Sequence, residues 1–188
     1  MFSPWTSGSV NFWVTMTCAG LTLTAYAFMC DRNGFGKPSD YISSQALLGL
    51  GMAVVLWGVF WVGDKLSQFL FSFARGQVNL IYGMKDGSSA ILIALALLFV
   101  IGPAEEFFWR GFVQRRLMER FGEWGGFALA LSAYTFIHIW SFNFMLICAA
   151  AVCGFCWGIV YKIKPSLLPA LVISHALWDV AAFIIFPF

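Results

Sequence analysis

Six ionisable side chains stand inside, or at the edge of, strongly apolar stretches: Glu105, Glu106, Arg110, His138, His175 and Asp179. A charge at the centre of a bilayer costs about 2.5–3.5 kcal/mol on insertion scales, so each such group is a functional candidate by default. Their spacing makes pairs. Glu106 and Arg110 are four residues apart, as are His175 and Asp179, and residues at that separation share a helical face. Glu105 lies about 100° round the helix from Glu106 and is left for another task. A carboxylate and an imidazole on facing helices can hold a water and deprotonate it, which is general-base catalysis. A second imidazole with a polar neighbour can stabilise the oxyanion formed when that water attacks an amide. The same two Glu, two His and Asp could instead coordinate zinc, although the spacing is not His-Glu-x-x-His. Ser132 and Ser174 lack the elbow a serine nucleophile needs, and Ser174 is expected to bond its own helix backbone. The plainer readings are that Glu105, Glu106 and Arg110 mark the cytosolic edge of a span, and that a lone histidine in an apolar helix is a packing residue. Both histidines of the chain fall in such segments, beside the other charges, which is harder to explain blandly.

Groups of this kind need elements long enough to carry them through lipid. Of the 188 residues, 61% are hydrophobic and only 11% are charged, and mean hydropathy is +0.82. Soluble domains carry about 25% charged residues, so this composition indicates a single integral membrane domain. The net charge of +2 and the lack of a basic run argue against nucleic acid. The N-terminus has no Lys or Arg before its first apolar segment, unlike a cleaved signal peptide. The five cysteines are odd in number and mostly in apolar segments, so they do not read as a disulfide framework. Cys153-Gly-Phe-Cys156 reads as packing rather than a redox pair.

Hydropathy predicts six spans: Asn11–Met29, Ala46–Gly63, Ser89–Trp109, Gly126–Phe142, Phe144–Tyr161 and Leu167–Phe186. The expected fold is an all-α polytopic bundle of about six transmembrane helices with interfacial amphipathic helices. Residues 1–88 form accessory helices and 89–181 the motif-bearing core. Gly49 and Gly51, and Ala150, Gly154 and Gly158, are placed for close helix contact. Lys65–Ala74 is expected to lie in the interface, and Gly111–Phe121 to extend the third span amphipathically along the surface. Seven cations (Arg32, Lys37, Arg115, Arg116, Arg120, Lys162, Lys164) fall in the loops of one side, against Lys65, Arg75 and Lys85 on the other. This bias puts the first set in the cytosol and both termini outside. With cytosolic boundaries near Val113, Gly126 and Leu167, Glu105 lies about 12 Å deep, His138 about 18 Å and His175 about 12 Å. The site is then expected in the cytosol-facing half.

The ordered set Glu105-Glu106-x-x-x-Arg110, an aromatic-x-x-x-His138 and His175-x-x-x-Asp179, with Trp-Arg-Gly-Phe following the glutamates, resembles the CAAX-protease and bacteriocin-processing family of glutamic-type intramembrane endopeptidases. The resemblance covers roughly Ser89 to Ala181. It implies that Glu105 is the general base with His138, that His175 and Asp179 support the oxyanion, that Glu106 and Arg110 brace the site, and that no metal or other cofactor is required. Two positions depart from the family pattern. Tyr134 stands where Phe is usual, adding a hydroxyl that needs a partner. Asp179 stands where Asn is frequent, and an ionised carboxylate cannot donate to an oxyanion, so Asp179 is expected to orient His175 and keep it charged.

The function expected is hydrolysis of a peptide bond near the C-terminus of a membrane-anchored or lipidated protein or peptide. The expected location is a bacterial or archaeal cell membrane, with that substrate and the lipid bilayer as the partners. The competing class is a non-enzymatic binder, such as a bacteriocin-immunity protein, or a proton-coupled transporter. A transporter would more often show an inverted repeat, and the charges here sit only in the C-terminal half. A zinc protease would use the same cavity, and chelation separates it.

Overall fold

A computed structural model describes residues 9–31 and 43–188, and among them all regular structure is helical. Helix α1 spans Phe12–Cys30, capped by Asn11, whose side chain accepts from the amide of Val14 at 3.1 Å. Helix α2 spans Ser43–Leu70 and α3 spans Ala74–Gly83. Helix α4 runs over 90–121 and α5 over 123–136. Helix α6 spans Phe144–Ile163, with the Asn143 side chain accepting from Leu146 at 2.9 Å. Helix α7 spans Leu168–Val180 and continues as a wider π turn over Ala181–Ile185. Five stretches are long and apolar enough to cross a bilayer, and one of them, Ala90–Ser141, is the α4–α5 pair. That pair supplies two legs, giving about six helices, as hydropathy predicted.

The break between the two legs has a local cause. Gly122 adopts φ 76°, a region costly for any residue with a Cβ, and the chain reverses there. The reversal is tight enough that a Cβ on Gly126 would come within 2.2 Å of the Met118 amide nitrogen. The expected extension Gly111–Phe121 is therefore the far end of α4 itself. At a rise of about 1.5 Å per residue, a 32-residue helix outruns a bilayer core of about 30 Å.

Successive legs run in opposite directions and leave two charged ends. One carries Arg115 and Arg116 on Asp31, the second pair at 2.7 Å, and Lys162 on Glu123 at 3.5 Å. The other carries Lys65, Arg75 and Lys85, the first two paired to Asp64. Arg32 and Lys37, counted in the charge bias, and the N-terminal residues before position 9 lie outside the described residues.

Two local expectations are corrected. Lys65–Leu70 is the last part of α2, not an interfacial helix. Asp64 read as the end of a span, yet it is buried and bonded to Gln68 at 2.6 Å and Arg75 at 3.1 Å, so its charge is satisfied inside the fold and α2 continues. The short helix across that end is α3, tied down by Asn143 Nδ2 donating to the Gln77 carbonyl at 2.8 Å and the Tyr82 hydroxyl donating to the Ala182 carbonyl at 3.1 Å. Of the α2 glycines, Gly49 approaches α7, where a Cβ would meet the Ala170 carbonyl at 2.7 Å, whereas Gly51 faces open space. The small face of α6 packs as expected, with Gly154 against Leu131 and Tyr134 and Gly158 against Phe127. The core gathers around Trp157, Leu171 and Trp178, while Val54, Ile91, Phe99 and Leu129 are exposed, an apolar exterior suited to lipid rather than water.

Candidate active site

Helix α4 carries the glutamates at its middle. The short α-helical turn Gly102–Glu106 is flanked by π-helical turns over Leu97–Ile101 and Phe107–Gln114. Such insertions re-aim side chains and recur at functional sites. Gly102, one turn before Glu106, lies against α7, so that a Cβ there would come within 2.8 Å of the Ala176 Cα. That approach brings Glu106 to His175. Gly154 does the same between α6 and α5, giving the Tyr134 ring its place.

Glu106 is fully buried, and its Oε1 accepts from Arg110 Nη1 at 2.9 Å and from His175 Nδ1 at 2.8 Å. Its Oε2 is buried with no hydrogen-bond partner. His175 Nε2 lies 3.6 Å from Asp179 Oδ2, within ion-pair range but too long for a hydrogen bond. The imidazole thus sits between two carboxylates. Trp157 stacks on it with centroids 3.9 Å apart and planes 20° apart, and the guanidinium of Arg110 lies 4.7 Å from the centre of the Tyr134 ring. Aromatic faces carry negative charge density and favour cations placed over them.

Glu105 points the other way from Glu106, as a 100° step predicts, and is only partly buried. Its Oε2 accepts from the Tyr134 hydroxyl at 3.0 Å, so the hydroxyl that the sequence left in search of a partner has one. His138 follows the last turn of α5. Its Nδ1 lies 2.9 Å from the carbonyl of Tyr134. A carbonyl only accepts, so Nδ1 carries the proton and, in the neutral ring, Nε2 carries the lone pair. Tyr134 therefore joins both groups, the acid through its hydroxyl and the imidazole through its backbone.

A cavity of about 470 Å³ is lined by Glu105, Tyr134, His138, His175 and Asp179, with an otherwise mainly apolar wall. Four of the six candidate residues, Glu105, His138, His175 and Asp179, line this cavity, and Glu106 and Arg110 lie behind its wall. The half of the bundle that holds the cavity differs from expectation. It lies away from the cationic loops, at the end covered by α3, because α4 continues past Val113 to 121 and His138 comes fifteen residues after the start of α5. That distance is about 22 Å along a helix, at the opposite end of the leg.

Two contacts were not foreseen. Trp157 had no distinguishing signal among the aromatics of an apolar span, yet it roofs His175. Its indole Nε1 donates to Ser174 Oγ at 3.2 Å, so Ser174 serves a neighbouring helix and not its own backbone as expected. Gln114, also buried, donates to the Gly158 carbonyl at 2.8 Å and ties α4 to α6. Cys153 is buried and Cys156 is half-buried in α6. Among the described residues no three His, Cys, Asp or Glu side chains converge on a common metal position.

The family model for type II CAAX prenyl endopeptidases, Rce1-like, matches residues 86–181, which contain all six candidate residues. No curated protein and no solved structure matches the chain.

Proposed function

The chain belongs to the Rce1-like family of type II CAAX prenyl endopeptidases, and from that premise we propose that it hydrolyses a peptide bond of a membrane-anchored protein or peptide with a water activated by Glu105 and His138. Membership makes it an intramembrane hydrolase. The observation that carries the finer reading is the double use of Tyr134, which holds Glu105 by its hydroxyl and fixes the tautomer of His138 by its carbonyl, with both groups on one cavity.

In this reading Glu105 takes a proton from the water as its oxygen bonds to the substrate carbonyl carbon, and the carbonyl π pair moves onto the oxygen. His138 Nε2 accepts a hydrogen bond from the second O–H of that water, which keeps its hydrogen, and so aims the oxygen lone pair at the carbonyl carbon. The oxyanion is stabilised by His175, whose Nδ1 is committed to Glu106 and whose Nε2 edge faces Asp179 without a hydrogen bond. The tetrahedral species collapses by breaking the C–N bond. The proton held by Glu105 passes to the leaving amine, and the acid product retains the water oxygen. Glu106 and Arg110 are positioning residues that hold His175 from behind the wall. Asp179 acts through its charge beside Nε2, since an ionised carboxylate has no hydrogen to give. The substrate segment is apolar where it meets the wall, and the scissile bond lies near its C-terminus.

The test is proteolysis of a membrane-anchored peptide library by purified protein, comparing wild type with Glu105→Ala and His138→Ala, each with and without a chelator. Loss of cleavage in both variants and persistence after chelation support the glutamate–histidine water. Loss on chelation with recovery on adding zinc assigns the water to a metal. Absence of cleavage by the wild type refutes the protease reading and leaves binding or transport.

A further inference from the structure

We propose that the cavity is loaded from the extracytosolic face, so that the substrates are polypeptides already carried across the membrane and anchored in its outer half. This rests on the protease reading above for the word substrate, but the placement of the mouth stands on its own.

Every leg contributes to the cavity from the same end. Helix α1 offers Phe12 and Trp13 from its start, and α2 offers Leu66 and Leu70 from its finish. Helix α5 offers His138 from beyond its last turn, and α6 offers Phe144 from its first. Since neighbouring legs run in opposite directions, these residues mark one face of the bundle. Helix α3 crosses that face and lines the cavity with Val78, Ile81 and Tyr82. Leu66, Leu70 and Phe144 are also among the exposed large hydrophobics, so the wall reaches the outside at this end.

The cations distribute the other way. Arg115, Arg116, Arg120, Lys162 and Lys164 lie at the end remote from the cavity, joined in the sequence by Arg32 and Lys37 after α1. The cavity end has Lys65, Arg75 and Lys85. All lie in short connections or close to the ends of the spans, where Lys and Arg bias sets orientation. The cation-rich end is the one retained in the cytosol. The cavity therefore opens on the far side, and a segment entering it must come from an exported chain. Its apolar wall suits a segment leaving the outer leaflet, and its catalytic groups are reached without passing the ion-paired cytosolic end.

Two measurements on the full chain test this. Ser89→Cys and Ser166→Cys, at exposed positions on opposite ends, are made in a background with the five native cysteines replaced, and intact cells are treated with a membrane-impermeant maleimide. The expected result is labelling of Ser89→Cys in intact cells and of Ser166→Cys only after permeabilisation. The reverse pattern, or labelling of both in intact cells, overturns the proposal. In parallel, an anchored peptide added from outside is offered to right-side-out and inside-out vesicles carrying the wild-type protein. Cleavage in right-side-out vesicles, with inside-out vesicles cleaving only after detergent, supports extracytosolic loading, and cleavage confined to sealed inside-out vesicles refutes it. Expected labelling with no cleavage even in detergent refutes the protease reading and supports the placement of the mouth.

Discussion

Replacing Glu106 by glutamine removes the negative charge from a position with no access to water. Its two partners are equally enclosed, with the Arg110 and His175 side chains 3% and 5% exposed. Neither can turn to solvent when the carboxylate is gone. Breaking a buried pair by removing one partner costs about 3–5 kcal/mol, because the remaining charge is uncompensated. For a chain of this length each kcal/mol shifts the unfolding temperature by about 2–4 °C, so Glu106→Gln is expected to melt about 6–20 °C below wild type. The assay is tryptophan fluorescence during heating in detergent at a fixed scan rate, since unfolding of such proteins is often irreversible. Glu105→Gln is the matched control. Glu105 is partly exposed and holds one bond, from Tyr134, which an amide oxygen still accepts, so the variant loses no more than about 1 kcal/mol, or about 2–4 °C in melting, while its cleavage is lost. The double variant Glu106→Gln/Arg110→Met is expected to melt above Glu106→Gln, because it removes the orphaned guanidinium. A Glu106→Gln shift no larger than that of Glu105→Gln refutes the bracing role assigned to Glu106.

Tyr134→Phe deletes the hydroxyl that donates to Glu105. A hydrogen bond to a charged group is worth about 1.5–3 kcal/mol, so kcat is expected to fall about ten- to hundredfold with KM little changed, measured by steady-state cleavage. Gly102→Ala forces a Cβ onto the Ala176 backbone, and overpacking of this kind costs about 1–3 kcal/mol. Its melting temperature and its activity should fall together, whereas Gly51→Ala, which meets nothing within 4 Å, should match or exceed wild type in the same melt. Trp157→Ala opens a cavity over His175 at a cost of about 3–5 kcal/mol, while Trp157→Phe keeps a ring on the imidazole and should retain most of the stability in that assay.

The fold was legible wherever lipid dictated composition. Six apolar runs gave six legs, and the small residues of α6 gave its contact face. What stayed hidden was set by single pairings across the bundle. Asp64 looked like the end of a span because a carboxylate in an apolar run reads as a boundary, and its link to Arg75 is invisible in a linear chain. The candidate site was legible as a set of types and spacings, with Glu106–Arg110 and His175–Asp179 paired as four-residue separations require. The sequence did not reveal that one oxygen of Glu106 serves both Arg110 and His175, nor that Trp157 covers the latter. The depth of the site was misjudged because a helix that continues past its apolar run shifts every residue counted from its end.

The single-residue reversal at Gly122 makes α4 and α5 a pair of rods joined at one tip. Glu105 and Tyr134 stand on different rods, and Glu105 is about 25 Å from the joint along α4. With an arm that long, a splay of about 2° at the tip moves the carboxylate by about 1 Å, and a displacement of that size near reacting atoms can cost about a hundredfold in rate. If Glu105 activates the water as proposed, the hinge alone therefore cannot hold catalytic register. The bond from the Tyr134 hydroxyl to Glu105, made far out along the two rods, acts as the latch that closes the lever. A substrate or lipid that wedges α4 from α5 would switch the enzyme off without touching an acid or a base.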